Sequence, residues 1–138
     1  MSLEAMAKRC PKSKDLGKTN LAHYELFFAG DQEGYLSIRP KQGSYVPLVL
    51  WEITPECEEA LDDYEAYPKL YTKETVSVEF QGELVEVMVY IMAPPYSSQA
   101  MQTTEKYVQV VHDGYQDFEI DFSPIEAALK EVTSIVEE

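Results

Sequence analysis

The sequence predicts an α+β domain built around a small mixed, largely antiparallel β-sheet or barrel. Segments that alternate between apolar and polar residues cluster in the middle of the chain, whereas helix-like segments lie at both ends and in the connections. Strands and helices do not follow one another in the regular order that a doubly wound fold requires. The 138 residues fit a single domain, residues 1–138, which can bury roughly two thirds of its unfolded surface.

A short helix and then a strand are predicted at the start of the chain. The segment LEAMAKRCP predicts a helix that begins at Leu3 and stops before Pro11, because a proline keeps the preceding residue out of the helical region. The segment NLAHYELFFAGD is rich in aromatic and aliphatic residues and ends in Gly30 and Asp31, which is typical of a strand followed by a turn.

Two β-hairpins are predicted in the middle of the chain. GYLSIRP and SYVPLVLWEIT flank residues 41–44 (KQGS), which predicts the first hairpin. Pro47 has no N–H to donate and is expected at a strand start, a bulge or an edge. ETVSVEF and ELVEVMVYIM alternate around Gln81-Gly82 and predict the second hairpin, which is the clearest β signal in the sequence.

Three further helices are predicted from their start and stop signals. One runs from Pro55 to about Tyr64, with the preceding threonine as its N-cap. In a second, apolar residues from Tyr107 onward recur at helical spacing until Gly114 ends the helix.

The third of these helices is the segment SPIEAALKEVTSIVEE at the end of the chain. Ser123 and Glu126 have the spacing of a capping box, in which the two side chains satisfy free N–H groups at the helix start. One face of the helix is predicted to be apolar, and it consists of Ile125, Ala128, Leu129 and Val132.

The charge balance excludes two classes of partner. Lys and Arg number 11 against 25 Asp and Glu, which gives a formal net charge of −14 at pH 7. Such a chain repels nucleic acid and anionic lipid, so neither is expected as a partner. No apolar run approaches the roughly 18 residues of a membrane span and no leader precedes the first helix, so a cytoplasmic protein is expected.

Motifs for nucleotides, metals and activated serines are absent from the sequence. It contains neither GxGxxG nor GxxxxGK, and no GxSxG. His23 and His112 stand far from the cysteines, so no metal and no other cofactor is expected. Cys10 and Cys57 are too few for a disulfide framework and are predicted to be buried or inert thiols, as in a reducing cytoplasm. Neither chelators nor reductants are therefore expected to alter folding or activity.

Glu65 is the acid with the most unusual surroundings. In the segment ALDDYEAYPKLY it stands between Tyr64 and Tyr67, and Pro68 forces a turn shortly afterwards. A carboxyl packed against aromatic rings loses hydration, which raises its pKa and makes it a usable proton acceptor and donor near neutrality. The alternative is a helix C-terminus whose tyrosines simply pack on the core.

Five segments together resemble the gamma-glutamylcyclotransferase-like (AIG2-like) family. LDDYEAYPKLY is similar to the family's LDxxEGYPxxY segment, with Ala66 where glycine is usual, which indicates a slightly different turn. MAKRCP, VPLVLWEIT, VMVYIM and KYVQVVHDGY are similar to other segments of the family, and the matches keep its order from Met6 to Tyr115. The resemblance implies the family's fold, a small mixed β-barrel with flanking helices.

The resemblance also implies a reaction and the residues that perform it. In this family the α-amine of a γ-glutamyl group attacks its own γ-carbonyl, which releases 5-oxoproline and an amine or amino acid. The catalytic acid/base of the family corresponds to Glu65, and its pocket tyrosines correspond to Tyr71 and Tyr107. Their hydroxyls are expected to orient the glutamyl amine or carboxylate, and Tyr90 is a further candidate for the same pocket.

One part of the family pattern has no counterpart here. The family has an N-terminal strand ending in Y-G-S-N, whose turn amides hold the substrate, and this strand is missing before LEAMAKRCP. Without it, neighbouring strands keep unpaired backbone groups. We therefore expect a homo-oligomer through an exposed edge strand or a gap beside Glu65, and weak binding of γ-glutamyl compounds.

Three functional hypotheses follow from these observations. The first is a gamma-glutamylcyclotransferase-like enzyme that acts on a small γ-glutamyl substrate, with Glu65 as general acid/base. The second is a non-catalytic binding or interaction module of the same fold with an incomplete substrate site. The third, a metal- or nucleotide-dependent enzyme, is disfavoured by the absence of the motifs that it needs.

Overall fold

Two antiparallel hairpins with helices around them form the structure. The structure, a computed structural model, describes residues 3–30 and 33–137, with side chains described as far as Val132 at the C-terminal end. In chain order the elements are α1 (Leu3–Arg9), β1 (Lys14–Ala29), β2 (Tyr35–Glu52), α2 (Pro55–Tyr64), β3 (Tyr71–Phe80), β4 (Glu83–Met92), a short 3-10 helix (Tyr96–Ser98), α3 (Glu105–Asp117) and α4 (Ser123–Glu137).

The first hairpin is formed by β1 and β2 along their whole length. The predicted turn at residues 41–44 is wrong, because β2 runs through these residues as one strand. Tyr24 pairs with Pro40 and Ala22 pairs with Tyr45, so residues 41–44 form a bulge opposite His23. The bulge arises because β1 begins at Lys14, well before the predicted strand, and offers a partner to both halves of β2.

The second hairpin agrees with its prediction. β3 and β4 pair in register on either side of Gln81-Gly82, with Val76 opposite Val87 and Val78 opposite Val85. Gln81 and Gly82 have φ values of 53° and 80°. Positive φ at both turn positions is the geometry that suits the twist of a tight hairpin.

The hydrophobic core lies between the two hairpins. Leu21, Val46 and Leu50 of the first hairpin are buried against Val76 and Val78 of the second. Each hairpin remains a two-stranded sheet, and no strand ladder joins them into a closed barrel within the described residues. The predicted α+β fold with a largely antiparallel arrangement is confirmed, whereas barrel closure is not observed.

The end of α3 and the start of α4 differ from their predictions. α3 continues past Gly114 to Asp117, because Gly114 is a buried position inside the helix and Glu119, with φ of 54°, takes the left-handed position after it. At the start of α4, the Asp121 carboxylate accepts hydrogen bonds from the N–H and the hydroxyl of Ser123. The capping box predicted for Ser123 is therefore replaced by an aspartate cap.

The apolar face predicted for α4 packs on the first hairpin. Ile125, Ala128 and Val132 are buried together with Phe28 of β1, and Leu129 packs against the same cluster. None of the helices in the described residues is long and apolar enough to cross a lipid bilayer.

A disulfide links α1 to α2, which contradicts the prediction of two inert thiols. Cys10 follows α1, Cys57 lies in the first turn of α2, and their Cα atoms are 4.9 Å apart. Both residues are buried with Met6 and Leu61, so the packing of α1 on α2 brings the two sulfurs together. Sequence spacing did not reveal this contact, because the two cysteines are separated by 47 positions.

Truncation of the α4 contact tests the core. Ile125 is 0% exposed, so Ile125→Ala should lower the free energy of unfolding by about 2–5 kcal/mol through lost contacts and a cavity. Leu84→Ala is the control, because Leu84 is 77% exposed and its truncation should change stability by less than about 0.5 kcal/mol. Urea unfolding of both variants checks the prediction, and equal losses would contradict this placement of α4.

Reduction of the Cys10–Cys57 bridge should destabilise the protein. A disulfide that closes a loop of this size contributes about 2–4 kcal/mol, mainly by restricting the unfolded chain. We expect dithiothreitol to lower the melting temperature of the wild type but not that of a Cys10→Ala/Cys57→Ala double variant. Two free thiols in the untreated protein, with no response to reductant, would show that the bridge does not form.

Candidate active site

Glu65 lies at the end of α2, and the turn that follows fixes its position. The Tyr67 N–H donates to the Asp62 carbonyl (2.9 Å), and the Ala66 N–H donates to the Asp63 carbonyl (3.2 Å). Ala66 has φ of 52°, so the helix ends in a Schellman motif with alanine in the left-handed position. This conformation costs a non-glycine residue roughly 1–2 kcal/mol. Glu65 is therefore held at the helix end by a backbone turn.

The Glu65 carboxyl is partly removed from water. The side chain is half-buried, and burial raises its pKa above the ordinary value, while the positive charge of Arg9 opposes this rise. Within the described part of the chain, the carboxylate has no hydrogen bond and no ion pair. The side chain therefore has the raised proton affinity that the sequence predicted for it.

Tyr71 and Tyr107 converge on the backbone of one residue, Leu36 in β2. The Tyr71 hydroxyl donates to the Leu36 carbonyl (2.7 Å), and the Leu36 N–H donates to the Tyr107 hydroxyl oxygen (3.1 Å). The two phenols therefore lie side by side at the edge of β2. Tyr107 keeps its own hydroxyl proton available, because within the described residues it donates to no partner.

Electrostatic coupling joins Glu65 to these two phenols. Burial is the main cause that raises the pKa of Tyr71, and the charges of Tyr107 and Glu65 add to it. Burial raises the pKa of Tyr107 to about 12, where the Leu36 hydrogen bond opposes the rise and Glu65 adds to it. The structure thus brings Glu65, Tyr71 and Tyr107 into one neighbourhood, with both phenols protonated at neutral pH.

Tyr90 belongs to a neighbouring polar cluster. Its hydroxyl donates to Asp62 Oδ1 (2.6 Å), and Lys73 Nζ lies 2.8 Å from the same oxygen and 2.6 Å from Glu58 Oε2. Burial and then the Asp62 hydrogen bond raise the pKa of Tyr90. Tyr90 is near enough to feel the charge of Glu65, but its proton is donated to Asp62. Its role in substrate binding stays a prediction.

Two residues that the sequence analysis did not single out complete this region. The Arg9 guanidinium carbon lies 3.9 Å from the ring centroid of Tyr64. The Tyr35 ring stands edge-on to Tyr107, with 5.2 Å between centroids, and its hydroxyl donates to Glu33. Arg9 belongs to the MAKRCP segment. The sequence would have placed it beside α2 only if the disulfide between the adjacent Cys10 and Cys57 had been known.

Two cavities of about 340 Å³ and about 290 Å³ lie elsewhere. The larger is between the β2 bulge and α4 and includes Glu25 and Glu131, and the smaller includes Arg9 and Cys57. Neither is lined by Glu65, so the cavity predicted beside this residue is not one of these two. No group of His, Cys, Asp or Glu side chains in residues 3–30 and 33–137 could hold a metal ion.

One known protein family matches most of the sequence. The profile described as "Gamma-glutamyl cyclotransferase, AIG2-like" matches residues 2–114. The chain belongs to this family. The match includes Glu65, Tyr71, Tyr90 and Tyr107, and it ends before α4. No curated protein matches the sequence of this family member.

Several solved structures share the fold of this chain. One described as "Gamma-glutamyl cyclotransferase" has a TM-score of 0.78 and 18% identity, covering 99% of this chain and 92% of the other. An uncharacterized human protein has a TM-score of 0.76 and 19% identity, covering 98% and 91%. YkqA from Bacillus subtilis has a TM-score of 0.68 and 16% identity, covering 88% of this chain and 45% of the other. At these identities the matches establish the fold.

The raised pKa of Glu65 predicts a pH-dependent effect of Glu65→Gln on stability. Above its folded-state pKa, the ionised wild-type side chain is less favourable in the fold than in the unfolded chain, and glutamine removes this cost. Below the ordinary glutamate pKa of about 4.3, both side chains are neutral and the difference disappears. We expect the variant to melt at a higher temperature than the wild type at pH 7 but not at pH 3.5. Equal melting temperatures at pH 7 would show that Glu65 is fully hydrated.

Proposed function

We propose that the protein releases 5-oxoproline from a γ-glutamyl amine or small peptide by intramolecular aminolysis. The observation that carries the proposal is a half-buried Glu65 carboxyl with raised pKa, in the electrostatic neighbourhood of Tyr71 and Tyr107. Membership of the gamma-glutamyl cyclotransferase, AIG2-like family supports the substrate class. No cofactor is needed for this reaction.

Glu65 is proposed to act first as base and then as acid. The substrate α-amine is mostly protonated at pH 7, so Glu65 takes one proton from it before the nitrogen can attack. A bond forms between the amine nitrogen and the γ-carbonyl carbon, and the bond from that carbon to the departing nitrogen breaks. Glu65 gives this proton to the departing nitrogen, then takes the second proton from the new ring nitrogen and passes it to the released amine. The products are 5-oxoproline and an ammonium group, and no water is consumed.

Tyr107 and Tyr71 are proposed to position the glutamyl group. The Tyr107 hydroxyl accepts from the Leu36 N–H, so its proton is available to a substrate oxygen. Tyr71 donates its proton to the Leu36 carbonyl and can offer the substrate only its oxygen as an acceptor. Tyr90 is proposed to act beside them through Asp62, to which its hydroxyl is bonded.

The second candidate is a binding or interaction module of the same fold without catalysis. It is favoured by one observation, namely that the hydroxyl protons of Tyr71 and Tyr90 are donated to Leu36 and Asp62 of the protein itself. The two proposals differ in a measurable way, because only the enzyme releases 5-oxoproline from γ-glutamyl compounds.

Self-association through strand edges is retained as a proposal. Each hairpin is a two-stranded sheet in the described part of the chain, and strand edges that lack a neighbouring strand recruit other strands.

A cytoplasmic location is also retained as a proposal. The disulfide bears on the location, because the cytoplasm keeps most thiols reduced. In that compartment Cys10 and Cys57 would be expected as thiols.

Loss of the base should abolish most turnover. Glu65→Gln keeps the shape of the side chain but cannot take a proton, so release of 5-oxoproline should fall by at least about 100-fold. Glu83→Gln, at the exposed turn between β3 and β4, is the matched control and should keep wild-type activity. Release is measured by chromatography with a panel of γ-glutamyl amines and dipeptides. Near-normal turnover in Glu65→Gln would assign the base elsewhere, and an inactive wild type would favour the binding module.

A further inference from the structure

Arg9 places a positive charge beside the end of α2 that carries Glu65. It is the last residue of α1, it is half-buried, and its guanidinium carbon lies 3.9 Å from the ring centroid of Tyr64. Tyr64 immediately precedes Glu65. We propose that Arg9 is the receptor for the α-carboxylate of the γ-glutamyl substrate, an inference that rests on the proposed function for the identity of that substrate.

The first support is that Arg9 has no carboxylate partner. The chain contains 25 Asp and Glu residues, yet within the described residues Arg9 forms no ion pair. Its charge acts on Glu65 without an ion pair between the two side chains. Lys73, another cation near α2, is already bonded to Glu58 and Asp62. Arg9 is therefore a cation of this region that pairs with no carboxylate of the described residues and can bind an incoming one.

The second support is that the charges of Glu65 and Arg9 match the α-amine and the α-carboxylate of a γ-glutamyl group. A γ-glutamyl group carries its α-amine and its α-carboxylate on the same carbon. The proposed reaction places the amine at Glu65, so the carboxylate must lie close by, and Arg9 is the cation that rests on the ring of the preceding residue, Tyr64. A guanidinium presents parallel N–H groups that fit the two oxygens of a carboxylate. A Glu65–Arg9 ion pair would cancel both charges, whereas their separation leaves each free for one end of the head.

The third support is that Arg9 is attached to α2 from two directions. The following residue, Cys10, is bonded to Cys57 in the first turn of α2. The guanidinium itself rests on the Tyr64 ring at the last turn of the same helix. These two attachments limit the movement of Arg9 relative to Glu65, and such preorganisation favours binding of a small ligand.

A pair of lactams tests the inference without depending on catalysis. 5-Oxoproline carries the carboxylate, and 2-pyrrolidinone is the same ring without it. Binding of each is measured by NMR titration of the wild type, Arg9→Gln, Arg9→Lys and Lys8→Gln. Lys8→Gln is the matched control, because it removes one positive charge from the same helix at an exposed position.

The expected result is a loss confined to the ligand with the carboxylate. Arg9→Gln should weaken 5-oxoproline binding by about tenfold to a hundredfold and leave 2-pyrrolidinone unchanged, as expected for a lost charged hydrogen bond. Arg9→Lys should recover part of the affinity, and it also serves if Arg9→Gln does not fold. Lys8→Gln should match the wild type. Equal weakening of both lactams, no change in Arg9→Gln, or no measurable binding of 5-oxoproline to the wild type would each overturn the inference.

Turnover measured on the same proteins separates this inference from the proposed function. An inactive wild type whose 5-oxoproline binding depends on Arg9 would support the carboxylate receptor and reject the enzyme. An active wild type with unchanged kcat/KM for a γ-glutamyl substrate in Arg9→Gln would support the enzyme and reject the receptor.

Discussion

Partial removal of the Glu65 carboxyl from water is the condition on which the proposed chemistry depends. A hydrated glutamate has little tendency to take a proton from an ammonium group at neutral pH, whereas a desolvated one does so more readily. The turn at Ala66 places Glu65 at the end of α2, where the helix dipole also disfavours a negative charge. The fold thus accepts the cost of an alanine in the left-handed position at the turn that places Glu65 where its ionised form is disfavoured.

The other contacts of this region keep the end of α2 in place. Asp62, one turn before Glu65, is bonded to Lys73 of β3 and Tyr90 of β4, so α2 is fixed to the second hairpin. The disulfide fixes the start of α2 to the residue that follows α1. Leu36 of β2 is bonded to the hydroxyls of Tyr71 and Tyr107, and the charge of Glu65 raises the pKa of both phenols. Three parts of the chain that are distant in sequence therefore define the surroundings of one carboxyl.

Local sequence patterns predicted the elements whose structure depends on residues close together in the sequence. The β3–β4 hairpin and α2 follow from alternation, turn residues and a threonine cap. The aromatic neighbours of Glu65 predicted that burial would raise its pKa, whereas its catalytic role stays a prediction. The bulge at residues 41–44 was misread, because the same turn residues serve a hairpin or a bulge, and only the length of β1 decides between them. The Cys10–Cys57 bridge and the position of Arg9 depend on how α1 packs against α2, and no local pattern reports that contact.

A direct titration of Glu65 tests the central claim most closely. The glutamate side-chain carboxyl carbons are followed by ¹³C NMR from acid to neutral pH, and the Glu65 signal is assigned by its absence from Glu65→Gln. We expect a midpoint above the ordinary glutamate value of about 4.3, because burial disfavours the ionised form. A midpoint at or below that value would mean that Glu65 is hydrated or paired with a cation, and it would contradict the role proposed for it.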